Sequence, residues 1–281
     1  MISKQDIIMA ARKLGLKKGD VVLVHSSFKS LGPVQNGAQD VIGGFSEVLG
    51  DEGTLVMPTF VQKDFANAYN TWHIDKHSDT GYLTNYLRKL PEASRSDQAT
   101  HSVAAIGKLA HELTKTHGHT SKRFGNMGDT PFSSDSPWEK MYDLNAKVVL
   151  LGVDFMSVTF RHYAEYRYIE NCLKSIENHP DYDKLKSELA AHNKPGAWPH
   201  VYNMWVYEKL LGKNAVKRCQ CGDAELLCFD SKVFVDFVLD ALEAGVKDVY
   251  WVCPTPGIWD VNEFIEWRNK LLSVQKTNKI N

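Results

Sequence analysis

His162-Tyr163-Ala164-Glu165 is the stretch whose side chains are best spaced for acid–base chemistry. On a helix, residues three apart point within roughly 60° of each other, so this imidazole and carboxylate share a face. A carboxylate beside an imidazole fixes the ring's tautomer and raises its basicity, which is what a general base needs. The same spacing also serves an ordinary surface ion pair. A second stretch, His25-Ser26-Ser27-Phe28-Lys29-Ser30-Leu31-Gly32, leaves an apolar run and precedes a helical one. Small hydroxyl residues and a glycine let a phosphate or a pantetheine-like chain approach the backbone, and helix N-terminal amides favour anions. A plain strand-to-helix turn has the same composition. A third, Arg95-Ser96-Asp97-Gln98-Ala99-Thr100-His101-Ser102, offers a planar guanidinium suited to phosphate oxygens, or else a solvated loop. Cys219-Gln220-Cys221 with Cys228 falls short of a four-ligand zinc pattern. His73, His77, His117 and His119 are not grouped with carboxylates, so no metal is expected.

The surrounding pattern supplies elements to hold these residues. Ser3 with Asp6 reads as a helix cap, followed by Ile7, Ile8, Ala11 and Leu14 and a stop at Gly15. Val21 to Val24, Thr54 to Met57, Val148 to Leu151 and Val249 to Val252 read as buried strands. Helical spacing runs over Val41–Leu49, Gly81–Leu90, Thr159–Leu173 and Ser231–Ala244. Gln62 to Thr80 is polar and aromatic without a period, the pattern of a long functional loop. Buried strands alternating with helices give a layered α/β architecture. With no Pro/Gly/Ser-rich linker, residues 1–270 are expected to form a single domain and 271–281 a frayed polar tail.

Several classes lose ground. With 33 basic against 34 acidic residues, nucleic-acid binding through bulk positive charge has no support. No apolar stretch approaches the ~18 residues of a membrane span, and the N-terminus lacks a signal-peptide core. Five cysteines, sparse and odd in number, fit reduced thiols in a cytoplasmic protein. The phosphate loop, the dinucleotide fingerprint, the H-E-x-x-H zinc helix and the G-x-S-x-G elbow are all missing from the sequence.

Taken in series, the blocks resemble one family. They are Leu23-Val24-His25-Ser26-Ser27-Phe28-Lys29-Ser30-Leu31-Gly32, Gly37-Ala38-Gln39-Asp40-Val41-Ile42 and Gly53-Thr54-Leu55-Val56-Met57-Pro58-Thr59-Phe60. Arg95-Ser96, Thr100-His101-Ser102-Val103-Ala104-Ala105-Ile106-Gly107 and Ser136-Pro137-Trp138-Glu139 follow. Leu150-Leu151-Gly152-Val153, Thr159 and His162-Tyr163-Ala164-Glu165 complete the series. Their order and spacing over about residues 3–174 resemble the aminoglycoside 3-N-acetyltransferases. The resemblance implies an α/β/α sandwich around a central mixed sheet, acetyl-coenzyme A as donor and a primary amine as acceptor. It implies that His162 acts on the amine with Glu165 in support. It assigns Ser26, Ser27, Ser30, Leu31, Gly32, Arg95, Ser96 and Ser102 to coenzyme A binding. A homodimer is allowed; nucleic acid and membrane are not expected partners. Two positions depart from the family pattern: Met156 stands where many members carry Asp, the nearest acid being Asp154, and Gln98-Ala99 replaces a common His-Pro.

Acetyl transfer needs a neutral amine, and alkyl amines are mostly protonated at neutral pH, hence the base. Direct transfer in a ternary complex requires no covalent intermediate. The acceptor loop would place Asp64, Asp75 and Asp79 toward the substrate, mixed with Lys63, His73, Lys76 and His77. A polycationic aminoglycoside calls for a more acidic pocket, which leaves room for a nucleotide-linked amino sugar used in surface polysaccharide. A hydrolase using Ser27 or Cys172 as nucleophile, or a non-catalytic coenzyme A binder, are the remaining alternatives.

Overall fold

Val21-Val22-Leu23-Val24 and Val148-Val149-Leu150-Leu151 are apolar at every position, so neither run can leave a face in water. The computed structural model, which describes residues 1–61, 63, 67–191, 198–251 and 261–278, puts both at the centre of a sheet. Its strands are β1 (Val21–Ser26), β2 (Thr54–Pro58), β3 (Ser94–Arg95), β4 (Val103–Gly107), β5 (Lys147–Leu151), β6 (Lys217–Cys221) and β7 (Ala224–Asp230). The order across the sheet is β3-β4-β2-β1-β5-β7-β6. β2, β1 and β5 run parallel, with Val22 opposite Leu55 and Leu23 opposite Val148. The strands outside them pair antiparallel, so the sheet is mixed.

Alternation along the strands divides the core between two faces. Val22, Val24, Leu55, Met57, Val149 and Leu151 pack with Ile7, Ile8, Phe45 and Leu83. Those partners come from α1 (Lys4–Lys13), α2 (Ala38–Leu49) and, beyond α3 (Ala68–Thr71), α4 (Tyr82–Leu87). Val21, Leu23, Val148, Leu150 and Phe229 pack on the opposite face with Trp138, Ile169 and Phe234. That face carries α5 (Ala110–Thr114), α6 (Pro137–Asp143), α7 (Phe160–Lys174), α8 (Tyr182–Ala191), α9 (Asn203–Gly212) and α10 (Ser231–Glu243), followed by α11 (Asn262–Asn278). The expected α/β/α sandwich is therefore present.

The capping box at Ser3 and Asp6 forms as its spacing requires. The expected strand at 249–252 does not: Val249 ends a short 3₁₀ turn and Tyr250 makes an isolated bridge to Val201, while 252 lies outside the described residues. Nor is the tail frayed from 271. It is helical to Asn278, and Leu271 is buried. The Cys219–Cys221 stretch is the edge strand β6, whose cysteines face the α1 side; the Cys219 thiol lies 3.6 Å from the Ala10 carbonyl.

Candidate active site

β1, β2 and β5 end on the same edge of the sheet. The chain leaves β1 toward β2 on one side, while β5 lies on the other. Where parallel strands part in this way, a crevice opens at their carboxyl ends. The loops leaving β1 and β5 interlock there. Ser27 N–H donates to the Leu151 carbonyl at 2.9 Å, and a Cβ on Gly152 (φ 61°) would lie 1.7 Å from Ser30 Oγ. A cavity of about 340 Å³ occupies the crevice, and its lining includes His25, Ser26, Phe60, His101, Thr159, Arg161 and His162.

Thr159 starts α7, which sets His162 in its first turn. His162 Nδ1 and Glu165 Oε2 are 2.9 Å apart, so the helical spacing brings the pair together as its sequence requires. Glu165 is fully buried, and its Oε1 accepts the Val201 backbone N–H at 2.8 Å. Arg161 Nε–H donates to His162 Nε2 at 3.2 Å. With Nε2 accepting, the hydrogen belongs on Nδ1, directed at Glu165. Burial holds His162 well below the ordinary histidine value, and the neighbouring Arg161 charge acts in the same direction. Burial also raises the Glu165 carboxyl, against the opposing pull of His200 and Arg161.

His200 brings Nδ1 to 3.9 Å from Glu165 Oε2. One ligand atom from each of His162, Glu165 and His200 falls within 4.8 Å of the others, a donor set that can share a proton or hold a cation. The Asn203 side chain donates to the Val158 carbonyl at 3.1 Å, tying the start of α9 to the segment before α7.

The other expected site residues divide. Ser26 lines the crevice cavity, and it and Ser27 line a neighbouring one with Asp79 and Tyr82. Ser30 donates to the Ser27 carbonyl at 2.6 Å and lines a further cavity with Asp154. Leu31 belongs to the core instead, 1% exposed, and Gly32 (φ 78°) turns the chain against Asp223. Arg95, Ser96 and Ser102 also fail to reach the cavity. The Arg95 guanidinium is consumed by the carbonyls of Thr59, Ile74 and Lys76 and stacks on Trp72 at 4.6 Å, so it staples the 72–76 segment to the end of β2. Ser96 and Ser102 are fully buried, bonded to His117 and Thr59 respectively. Asp75 is exposed, and Asp64 lies outside the described residues. Asp154 caps a 3₁₀ turn through the Met156 N–H and makes no bond to His162. Burial raises the Cys172 thiol to about 12, which removes it as a nucleophile.

Three contributors escaped the spacing argument. His200 follows Trp198-Pro199 with no pattern to flag it, and His101 reads as part of an open loop. Arg161 did carry a signal: a cation in the first turn of a helix opposes the dipole.

A family model described as aminoglycoside 3-N-acetyltransferase matches residues 23–243. The chain is 36% identical over 186 residues to an SPbeta prophage-derived aminoglycoside N(3')-acetyltransferase-like protein, YokD, of Bacillus subtilis (strain 168). That alignment spans 59% of this chain and 65% of the relative. Aminoglycoside N(3)-acetyltransferase III of Salmonella sp is 30% identical over 279 residues, 86% of this chain and 92% of the relative. Among solved structures, AAC-IIIb with CoASH has a TM-score of 0.66 at 17% identity, covering 90% of this chain and 99% of that one, a likeness of fold.

Proposed function

The chain belongs to the aminoglycoside 3-N-acetyltransferase family, and from that membership we propose that it transfers the acetyl group of acetyl-coenzyme A to a primary amine of an amino sugar or aminoglycoside. The observation that carries the reading is the His162–Glu165 pair at 2.9 Å, opening on a cavity that Ser26 also lines. CoASH bound to the structural neighbour supports the donor.

In the reaction the amine nitrogen attacks the thioester carbonyl while its proton passes to His162 Nε2. Glu165 holds Nδ1–H and stabilises the imidazolium. Backbone N–H groups of the loop after β1 are our candidates for the oxyanion. The tetrahedral adduct then collapses, the C–S bond breaks, and the imidazolium proton goes to the departing thiolate to give CoASH. Each step balances without a covalent enzyme intermediate. The acceptor amine enters between the β1 loop and the 67–80 segment, where Asp79 shares a cavity lining with Ser26 and Ser27.

The test is His162→Ala, assayed by thiol release from acetyl-coenzyme A across aminoglycosides, simple amino sugars and nucleotide-linked amino sugars. Turnover should vanish while coenzyme A binding survives. Near-wild-type turnover in the variant would overturn the assignment of the base.

A further inference from the structure

Arg161 adjoins the motif, has no part in the reaction above, and touches the base. Among the described residues, its only hydrogen bond is the one from Nε to His162 Nε2, and no carboxylate pairs with its guanidinium. It lines the cavity beside Thr159 and His101. Both oxygens of Glu165, the acid whose charge acts on it, are already engaged, by Val201 and His162. Arg161 also sits in the first turn of a fifteen-residue helix that has no acidic residue there, where the helix dipole adds positive potential. A desolvated, unpaired cation at a helix start is costly unless an anion comes to it.

Two consequences follow for the reaction. A cationic amine nearing His162 meets a like charge. In addition, the lone pair of Nε2 that must take the amine's proton is already occupied by Arg161 Nε–H. Resting on the acetyl-transfer reading, we propose that the acceptor carries a carboxylate or phosphate, and that this group binds Arg161 and draws its guanidinium off Nε2. Recognition of the substrate's anion and release of the base are then one event. The phosphates of coenzyme A cannot supply that anion, because the whole pantetheine arm separates them from a thioester placed at His162.

Arg161 is thus a specificity and positioning residue, and a matched set of amines tests it: glucosamine, glucosamine 1-phosphate, glucosamine 6-phosphate, muramic acid and gentamicin. Wild-type protein should favour at least one anionic member over glucosamine by about tenfold or more in kcat/KM, ~1.4 kcal/mol. Arg161→Leu should erase that preference and raise turnover of gentamicin, and Arg161→Lys should keep part of the preference. Opposite signs on the two substrates cannot arise from structural damage. The proposal is overturned if wild-type protein prefers glucosamine or gentamicin to every anionic analogue. It is also overturned if Arg161→Leu lowers all acceptors by one factor, which would place the guanidinium on the oxyanion or in the fold. Calorimetric binding of the same compounds without acetyl-coenzyme A separates the two readings. Silence of every amine in the turnover assay refutes acetyl transfer. Anion binding then still decides Arg161: tight in wild type and lost in Arg161→Leu supports the subsite, and equal binding in both refutes it.

Discussion

Glu165→Gln removes one charge and one acceptor from the site without changing its shape. The carboxylate accepts two hydrogen bonds, from Val201 N–H at 2.8 Å and from His162 Nδ1 at 2.9 Å. A glutamine has a single oxygen to serve both. If that oxygen stays on Val201, its NH₂ faces Nδ1, and the imidazole must carry its proton on Nε2, the atom needed as base. If instead the oxygen faces His162, a buried N–H of Val201 meets an amide donor, at about 1–3 kcal/mol. The first arrangement keeps Val201 satisfied and disables the base, at the cost of the hydrogen bond from Arg161 Nε–H, a side chain that lines the cavity and can turn away. Since general-base catalysis contributes roughly 10²–10⁴-fold, kcat should fall about 10³-fold, ~4 kcal/mol. The assay is thiol release at saturating acetyl-coenzyme A, with the acceptor found for wild-type protein. The thermal midpoint, measured alongside, should hold, because the substitution also removes a buried charge. Turnover within about threefold of wild type would refute the reasoning and leave Glu165 as a packing residue.

Other perturbations test the remaining assignments. Because His162 is active when neutral and its pKa is held low, kcat should persist as the pH falls past ~6.5 and drop only below that; an acid limb at or above that value would mean a solvated ring. His25 and His117, each held at about 4 by burial, stay neutral in the folded state while the unfolded chain takes up protons. Stability should therefore decline as the pH falls from ~6.5 toward 4, by up to about 3 kcal/mol per histidine, and urea titrations of His117→Gln should show a shallower slope. Arg123, 3% exposed, bonds Glu139 at 2.9 Å and Glu170 at 2.8 Å. Arg123→Met leaves both carboxylates short of a partner and should cost roughly 3–5 kcal/mol in denaturant titration, where a loss under ~1 kcal/mol would show the network is solvated. Arg95→Met should raise KM for the amine about tenfold and leave KM for acetyl-coenzyme A unchanged, since it frees the acceptor loop; the reverse pattern would restore Arg95 to phosphate binding.

The parts of the site written in local sequence were legible, and the parts made by chain return were not. His162 and Glu165 meet because one helical turn brings them together, and Val21–Val24 and Val148–Leu151 announce buried strands by composition alone. β6 is polar at most positions, so it lacks the apolar run that marked the central strands. Arg95 has the chemistry of a phosphate binder, but its fate depends on which carbonyls surround it, and those come from Thr59, Ile74 and Lys76. Gln98, one of the two departures from the family pattern, works at both ranges: its Nε2 donates to the Tyr69 hydroxyl at 2.9 Å, a partner no spacing rule reveals. Its Oε1 accepts the Thr100 and His101 N–H groups and so fixes the turn that presents His101. No spacing rule leads to His200, because its contact with Glu165 exists only in the folded chain.

The Val201–Glu165 bond also sets an order of events during synthesis. A chain emerges from the ribosome N-terminus first, at ~5–20 residues per second. Glu165 precedes its amide anchor by 36 positions. For some seconds the nascent chain thus holds β1, β2, β5 and the whole His162–Glu165 motif, yet lacks the group that aims the carboxylate. The base is thus finished later than its own residues are made, once the chain has reached Val201. A product terminated before Val201 would carry every recognisable motif residue and still have an unaimed imidazole.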